Sequence, residues 1–510
     1  MKYAGMIRKA CCLLTAVCLL AALTGCARNG TEERVPANTL PPAAVEYEAP
    51  DGDRVIRKPS EYMLYVPEKD AQQLEPIGIR LEEADLKDTA TELVMNLLRE
   101  INESGALRTE RELETVKETP VEISRGICTV NLSSSALQLS YSDYYRLSLA
   151  LSSTLCALEE IEYVNVLTAG QSVALDSAGR LPMGSLIGHA EENLSVLWEQ
   201  MEARRTPQGG DAGKTTLGTQ ATVYYPLTEG RGIACVSRRI TFGGQTASQL
   251  ASGLLDAMSE TVRTEIESDN VPDLWEYMVH EPVTNEMEEG GRLITLSFRE
   301  DLQELLDGWH TDLSCLAAAV TMALTTFVPG TAAVCIRIGD KPVTEIDNHL
   351  YSVGTILGGL MRRGTFVRFL TGSTSVYFVK DGGLVRTEQP VERDAADSPR
   401  VQLSALMRGP DSVEKEKGIT SPVPEGVRED DLLGISAEGD TLLVNFTARF
   451  RDMIEAQGTE NEMLLCYAIV NTLCANTGMK RVCFFFEGEQ AETIAGGIYW
   501  AGEFLFNPGV

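Results

Sequence analysis

The chain has few of the residues from which catalytic and metal sites are most often built. Only four of its 510 residues are histidine, and they are scattered: His189, His280, His310 and His349. The G-x-S-x-G, H-E-x-x-H and zinc-spaced C-x-x-C patterns, which mark serine nucleophiles and zinc sites, are also missing. The sequence therefore predicts a protein that is not an enzyme, with no catalytic residue, no metal site and no cofactor.

Basic residues are in the minority. The 44 Lys and Arg face 74 Asp and Glu, which leaves a formal net charge of −30. A chain this acidic is repelled by a phosphate backbone, so nucleic acid is not an expected partner. The acidic clusters Glu82-Glu83 and Glu429-Asp430-Asp431 do not lie in EF-hand loops. We interpret them as solvated surface rather than as calcium sites.

A glycine-rich stretch, residues 209–215, approaches a phosphate-binding loop without matching it. The Walker pattern places four residues between its first Gly and the Gly-Lys-Ser/Thr triplet. Here only three residues separate Gly209 from Gly213, and no apolar strand precedes them. The stretch is therefore interpreted as part of a linker.

The N-terminus carries a targeting pattern. Three basic residues precede an apolar run over residues 10–23, which ends in Leu23-Thr24-Gly25-Cys26. The run is too short for a permanent membrane span, and it resembles a bacterial lipoprotein signal peptide. That resemblance implies cleavage between Gly25 and Cys26 and a lipid on the Cys26 sulfur. An uncleaved anchor helix and a plain secretory signal are the alternatives.

Residues 26–58 are expected to connect this anchor to the folded part. Pro36, Pro41, Pro42 and Pro50 are spread among Ala, Glu and polar residues. Such a composition favours an extended, weakly ordered tether.

The rest of the chain contains one pattern three times. Each copy has a β-like run, an apolar helical stretch, a loop, an alternating strand, a long apolar helix and a final strand. The alternating strands lie at 130–133, 294–297 and 444–447, and the final strands begin near Val164, Val334 and Val482. We expect repeats at 59–190, 219–357 and 373–510, with linkers at 191–218 and 358–372. The second linker carries Arg362, Arg363 and Arg368, which we interpret as joining two domains rather than as a binding site.

Glycines and a shared tetrapeptide support the alignment of the three copies. Gly170, Gly339 and Gly488 lie five or six residues after the final-strand valines, and Gly184, Gly354 and Gly502 lie 20 residues after them. Thr154-Leu155-Cys156-Ala157 matches Thr472-Leu473-Cys474-Ala475 in the preceding helix. The order of elements predicts three small α+β domains in tandem, each a mixed sheet with two helices packed on one face.

These motifs resemble the GerMN domain family, found in lipoproteins of spore-forming Gram-positive bacteria. The matching segments are Leu64-Tyr65-Val66-Pro67, Leu406-Met407-Arg408-Gly409-Pro410, Val130-Asn131-Leu132-Ser133, Thr154-Leu155, and Val164-Asn165-Val166 with Gly170. The chain departs from the family in having three copies rather than two, and in having the Gly-Pro only in the third.

The resemblance implies a domain similar to ring-building motifs. It also implies a non-catalytic lipoprotein at the extracytoplasmic face of the cell membrane, contributing protein–protein contacts in sporulation or spore germination. Its expected partners are the membrane, through the lipid on Cys26, other sporulation or envelope proteins, and further copies of itself. A binding module for a cell-wall fragment or small ligand is the alternative, and a hydrolase that uses paired carboxylates is a third hypothesis.

The sequence also bears on whether the cysteines form disulfides and on how a run of three phenylalanines is buried. After removal of the signal, eight cysteines besides Cys26 remain, an even number that permits disulfides. Because Cys156 and Cys474 share one repeat position in an apolar helix, we favour buried thiols. Alternation along Phe484-Phe485-Phe486 predicts Phe485 on one sheet face and its neighbours on the other, with partial exposure.

Overall fold

The computed structural model describes residues 47–53, 60–69, 72–81, 85–204, 217–266, 273–347, 355–357 and 359–510. The signal sequence with Gly25 and Cys26, most of the 26–58 tether, the stretch 209–215, the pair Glu82-Glu83 and Gly354 lie outside these residues. The interpretations made of them stay predictions.

The first repeat consists of a β-hairpin followed by a separate mixed sheet. Its elements are β1 (Ser60–Pro67), β2 (Leu74–Leu81), α1 (Leu86–Ser104), β3 (Val121–Ser124), β4 (Ile127–Leu132), α2 (Tyr141–Leu155), β5 (Tyr163–Thr168) and α3 (Leu194–Ala203). β1 pairs antiparallel with β2. In the second sheet β4 pairs antiparallel with β3 and parallel with β5, so α2 is the crossover between two parallel strands.

The second repeat has the same order with additions. Its elements are β6 (Leu217–Pro226), β7 (Ile233–Phe242), α4 (Ala247–Ile266), β8 (Val283–Glu286), β9 (Arg292–Phe298), α5 (Leu302–Gly308), α6 (Leu313–Phe327), β10 (Thr331–Ile338), β11 (Lys341–Pro342), β12 (Glu345–Asp347), β13 (Thr355–Leu357) and α7 (Arg363–Phe366). β9 and β10 are the parallel pair, flanked by β8 and β11.

The third repeat completes the series. Its elements are β14 (Thr371–Lys380), β15 (Gly383–Glu392), α8 (Pro399–Arg408), α9 (Ser412–Glu416), β16 (Leu432–Glu438), β17 (Thr441–Phe446), α10 (Ala448–Gln457), α11 (Thr459–Thr477), β18 (Arg481–Phe486) and β19 (Phe504–Leu505). β17 and β18 are parallel, with β16 and β19 at the edges.

The α+β fold class and the predicted order of elements are confirmed, but the opening strand of each repeat is half of a hairpin. In the third repeat the turn is Asp381-Gly382, and both residues have positive φ, 53° and 82°. An Asp-Gly pair in this conformation is a strong hairpin signal. The same signal in the sequence would have predicted β15.

Helix starts are fixed by short polar side chains. Asp85, Ser140 and Asp312 precede α1, α2 and α6, and each accepts a hydrogen bond from the backbone N–H three residues later. Such caps satisfy amides that the helix leaves unpaired. At the other end of α1, Gly105 takes a left-handed conformation with φ 62°.

Each repeat has its own apolar core, between the helices and the strands. Core residues include Leu97, Val130, Leu151 and Val164 in the first repeat, Leu254, Leu296, Val320 and Ile336 in the second, and Leu406, Val444, Leu473 and Phe484 in the third. The alternating strands and the long helices therefore bury the faces that their sequence periods indicate.

Both segments expected to be linkers contribute to these cores. In the first, Leu194, Leu197 and Met201 of α3 are buried in the core of repeat one. Their spacing of three and four residues is the helical signal that the linker interpretation missed. In the second, Phe366 and Phe369 belong to the core of repeat two.

No helix among the described residues is both long enough and apolar enough to cross a bilayer.

Candidate functional site

Two recurring threonines hold the long helix of a repeat against its hairpin. Thr154 of α2 accepts a hydrogen bond at Oγ1 from the backbone N–H of Tyr65, at 2.9 Å. Thr472 of α11 accepts the corresponding bond from the N–H of Tyr377, at 3.2 Å. The shared Thr-Leu-Cys-Ala segment is therefore explained by the packing of helix on strand.

The recurring glycines belong to turns. The side-chain oxygens of Asn131 and Asn445 accept hydrogen bonds from the N–H groups of Gly170 (2.8 Å) and Gly488 (3.1 Å). Both glycines have positive φ, 77° and 87°, which glycine adopts without strain. Like the threonines, these positions have structural roles that explain their recurrence.

A buried ion pair lies where the repeats meet. Arg363 of α7 and Glu122 of β3, which we call the junction pair, approach to 2.5 Å between Nη2 and Oε2. Their side chains are only 4% and 2% exposed. Arg363 Nη1 also donates to Thr326 Oγ1 at 2.5 Å. The pair connects the segment after the second repeat to the sheet of the first.

The environment of Arg363 keeps its charge. Burial alone would lower the pKa of the guanidinium, but the Glu122 carboxylate and Tyr224 raise this pKa above its usual range. The Tyr224 ring centroid lies 5.9 Å from the guanidinium carbon, within cation–π distance. Among the described residues, Glu122 Oε1 and Arg363 Nε find no hydrogen-bond partner, so each charge depends on the other.

Polar contacts also join each pair of repeats. They are the hydrogen bond from Arg125 to Tyr225 between repeats one and two (3.2 Å), the ion pair Arg231–Asp411 between two and three (2.5 Å), and the ion pair Lys87–Asp394 between one and three (2.8 Å). Although burial of Asp394 acts in the opposite sense, Arg393 and Lys87 lower its pKa to about 2. The three repeats therefore contact one another directly.

The second repeat covers the outer face of the first sheet, the face turned away from its helices. Asn165 of β5 donates from Nδ2 to Thr222 Oγ1 of β6 at 2.9 Å, and Ser185 N donates to Gln220 O at 2.9 Å. Gly184 has φ 80°, and a Cβ there would lie 2.4 Å from Gln220 O. This recurring glycine allows the two backbones to approach closely.

Residues 47–53, which we call the strap, cross the outer face of the third sheet. Tyr47 Oη donates to Glu503 Oε1 at 2.8 Å, and Asn445 Nδ2 donates to Pro50 O at 2.9 Å. Pro50 is buried. The strap thus joins the chain near its N-terminus to the repeat that is most distant in sequence.

Asp53, the last residue of the strap, is held by two hydrogen bonds from Arg400 and one from a backbone amide. Asp53 pairs with both Nε (2.6 Å) and Nη2 (2.9 Å) of Arg400 and accepts a hydrogen bond from Ile435 N at 3.1 Å. The expectation of a weakly ordered tether over 26–58 is therefore wrong for residues 47–53, because they bury apolar surface and satisfy polar groups on the third repeat.

The strap also explains Phe485. Alternation along β18 is confirmed, since Phe484 and Phe486 lie in the core and Phe485 lies on the opposite face. The expected partial exposure is wrong, because Phe485 is only 3% exposed. It packs in a small cluster with Leu443 and Cys483 beneath Tyr47 and Ala49; the latter two are strap residues.

The eight described cysteines are free thiols, and seven of them are buried. They are Cys128, Cys156, Cys235, Cys315, Cys335, Cys466, Cys474 and Cys483, of which Cys156 is half-buried. Burial raises the pKa of Cys474 to about 11 and that of Cys483 to about 12, so both stay protonated at neutral pH. The buried-thiol interpretation is confirmed, and the thiols are poor nucleophiles.

The second acidic cluster is partly structural. Asp431 is buried and accepts hydrogen bonds from Thr447 Oγ1 at 2.8 Å and from Arg449 Nη1 at 2.5 Å. Although burial would raise the pKa of Asp431, hydrogen bonds from the Arg428 backbone, Thr447 and Arg449 lower it. The neighbouring Glu429 and Asp430 are exposed, as the solvated-surface interpretation expects. Within the described part of the chain, no group of three or more His, Cys, Asp or Glu side chains could hold a metal ion.

A polar cleft of about 590 Å³ lies beside the hairpin of the first repeat. Its lining residues are Glu68, Gln72, Gln73, Leu74, Glu75, Pro76 and Asn193. A hydrogen bond with Glu68 raises the pKa of the exposed Glu75 carboxyl. Amide and carboxyl groups in one cleft could bind a small polar ligand through hydrogen bonds.

Among known proteins and families, the match to a family model lies in the third repeat. Residues 375–492 match the family model of the Germane domain, described as sporulation and spore germination. The resemblance inferred from the motifs is thereby confirmed. A solved structure of the tandem GerMN domains of the sporulation protein GerM from Bacillus subtilis is 15% identical, covers 53% of this chain and 92% of its own, and has a TM-score of 0.20. A candidate lipoprotein from Clostridium perfringens is 16% identical, covers 26% of this chain and 87% of its own, and has a TM-score of 0.19. No curated protein matches the chain.

Proposed function

We propose that this chain is a lipid-anchored extracytoplasmic lipoprotein that contributes protein–protein contacts in sporulation or spore germination, without catalysing a reaction. The observation that carries the proposal is the match of residues 375–492 to a sporulation and germination family. That match supports the biological process. The anchor and the mode of action rest on the features that follow.

The lipid anchor is supported by the N-terminal sequence. Leu23-Thr24-Gly25-Cys26 directly follows a basic segment and an apolar run, the arrangement of a lipoprotein signal. Lipid on Cys26 would hold the folded repeats at the outer surface of the membrane. A net charge of −30 makes electrostatic attraction to acidic lipids an unsuitable substitute.

A role in protein contacts is supported by what the recurring residues do. In the first and third repeats, the shared threonines tie a helix to a hairpin and the shared asparagines hold glycine turns. Among the described residues, these positions do not build a repeated polar pocket. The third repeat also exposes apolar side chains near its C-terminus, with Leu505 at 45% and Phe506 at 42%. Exposed apolar groups of this kind suit contact with another protein.

The proposal is tested in the native host by deleting the gene and restoring either the wild-type or the Cys26→Ala chain. The deletion is expected to reduce the yield of heat-resistant spores or their germination. The wild-type protein should restore spore yield and germination and should fractionate with membranes. The Cys26→Ala protein should do neither. Cys18→Ala, which lies in the apolar run outside the lipobox, is the matched control and should behave as wild type. Unchanged sporulation, germination and outgrowth of the deletion strain would contradict the proposal.

The polar cleft of the first repeat favours the alternative of a ligand-binding module. Its amide and carboxyl groups could hydrogen-bond a cell-wall fragment. Retention of a muropeptide by the soluble 27–510 chain, lost in Gln72→Ala, would support this alternative. Release of muropeptides from purified cell wall by the same chain would instead indicate a hydrolase.

A further inference from the structure

The strap follows one strand of the third sheet along its length. Tyr47 Oη lies 3.4 Å from the hydroxyl of Thr441, where β17 begins. Pro50 O accepts from Asn445, close to the end of that strand. Asp53 then reaches Arg400 at the start of α8. The strap therefore lies on the sheet in one direction, and its N-terminal end leaves beside the start of β17.

The surface beneath the strap is shaped for a backbone. A Cβ at Gly434 would lie 2.6 Å from Gly52 N and 2.9 Å from Pro50 O. Atoms this close cannot coexist without movement of one backbone. Gly434 thus leaves room for the strap, while Leu443 and Phe485 supply the apolar floor.

The outer face of the first sheet is covered in a different way. There, polar residues such as Asn165 hydrogen-bond to β6 of the next repeat. On the third repeat the corresponding face carries the apolar Leu443, Cys483 and Phe485. Left uncovered, this face would expose apolar surface to water, which the strap prevents.

We propose that the outer face of the third sheet is a docking site for residues 47–53 of the same chain, and that this docking makes the third repeat, rather than the first, the one nearest the membrane anchor. The membrane part of the proposal rests on the lipid anchor proposed above. The docking itself does not depend on that anchor.

Chain length limits how far the folded part can lie from the membrane anchor. The 20 residues 27–46 separate Cys26 from the strap, whereas residues 27–59 separate it from β1. At about 3.5 Å per residue, the maximum reach is about 70 Å to the strap and about 120 Å to β1. Docking therefore shortens the greatest distance between anchor and folded body, and moves the attachment point to the start of β17.

Docking is tested on the soluble mature chain 27–510 by alkylation of its thiols, followed by peptide mass spectrometry. Cys483 lies beneath the strap, so its modification requires the strap to open. Gly434→Ala, which excludes the strap sterically, should speed modification of Cys483 roughly tenfold or more. Asp53→Ala, which removes a charged pair and a backbone hydrogen bond, should act in the same direction.

The matched control is Gly243→Ala, whose Cβ would meet no atom within 4 Å. It should leave Cys483 as slow to react as in wild type. The buried Cys466 in the same repeat reports whether a variant still folds, and should stay slow in all chains. Equal Cys483 rates in wild type, Gly434→Ala and Asp53→Ala would overturn the docking. Protection of wild-type Cys483 that disappears on dilution would also overturn it, since the strap would then come from a second copy.

The position of the anchor is tested with the native lipidated protein in phosphatidylcholine–phosphatidylglycerol vesicles that carry a headgroup acceptor dye. A donor dye is placed at Lys480→Cys, beside the start of β18, or at Leu137→Cys in the first repeat; both native side chains are exposed. Energy transfer should be stronger from position 480, and Gly434→Ala should reduce the difference. Equal transfer from both positions would overturn the membrane part alone. Failure of the wild-type chain to bind vesicles would instead contradict the lipid anchor, with Cys483 protection unaffected.

Discussion

Removing one charge of the junction pair is expected to be costly, whereas removing both should cost much less. Glu122 and Arg363 are almost fully buried and 2.5 Å apart. Breaking a buried ion pair by deleting one partner typically costs about 3–5 kcal/mol, because a charge is left without compensation. Replacing both partners by apolar groups of similar volume is often close to neutral.

The local geometry places the single substitutions within that range. In Glu122→Gln, the Arg363 guanidinium keeps Thr326 Oγ1 at 2.5 Å and the carbonyl of Met322 at 3.5 Å, but loses the carboxylate that is its one anionic partner among the described residues. We expect a loss of about 3 kcal/mol. Arg363→Met removes the one hydrogen bond that the Glu122 carboxylate accepts within the described part of the chain, and we expect a stability loss of about 3–5 kcal/mol.

The measurement is a double-mutant cycle by urea denaturation of the soluble mature chain, monitored by far-ultraviolet circular dichroism. The cycle compares Glu122→Leu, Arg363→Met and the double variant Glu122→Leu/Arg363→Met, and the double variant should be about 3 kcal/mol more stable than the sum of the two single losses predicts. Arg362→Met is the control: Arg362 pairs with Glu289 at 3.0 Å, but both side chains are exposed, so we expect a change within about 0.5 kcal/mol.

Two results would refute the reasoning. Additive losses in the cycle would show that the two charges do not depend on each other. A loss in Arg362→Met as large as in Arg363→Met would show that burial of the pair does not decide the cost.

Three further predictions follow from single contacts. Thr154→Val should cost about 1–2 kcal/mol, because it leaves the Tyr65 amide unpaired, and thermal unfolding measures it; no change would contradict the role given to the recurring threonine. Gly184→Ala should destabilise by more than about 2 kcal/mol, since its Cβ would meet a backbone oxygen of the second repeat and its φ is positive. A Gly243→Ala chain tested alongside should unfold as wild type. Finally, because the folded-state pKa of Asp394 is lowered to about 2 from an ordinary 3.8, its contacts with Arg393 and Lys87 stabilise above about pH 4 and are lost as pH falls toward 2. Asp394→Asn should flatten the decline of unfolding free energy across this window, and an identical decline would count against the contact.

The local elements of this protein could be predicted from the sequence because their signals are local. The alternation at Val130 and Val444 and the helical spacing of Leu147, Leu151 and Leu155 depend only on residues a few positions apart. Each of these residues is buried where its period indicates. The same order of strand and helix periods appears three times along the chain, which supports a repeated domain.

Two elements that the sequence analysis does not predict also have local signals. The Asp381-Gly382 turn predicts a hairpin, and the spacing of Leu194, Leu197 and Met201 predicts a helix. The alternation within one strand indicates which of its faces is buried. It does not indicate which strand pairs with it.

The sequence by itself determined that three α+β units of similar design follow a lipoprotein-like N-terminus. Only the tertiary structure decided how those units meet. Glu122 and Arg363 are 241 positions apart, and Asn445 is 395 positions from Pro50. Arg363 lies in a short connection and Pro50 in a polar segment. Neither residue belongs to a local sequence pattern from which its contact partner could be predicted. Their roles depend on long-range packing, where desolvation leaves each buried charge or carbonyl in need of a partner from another repeat.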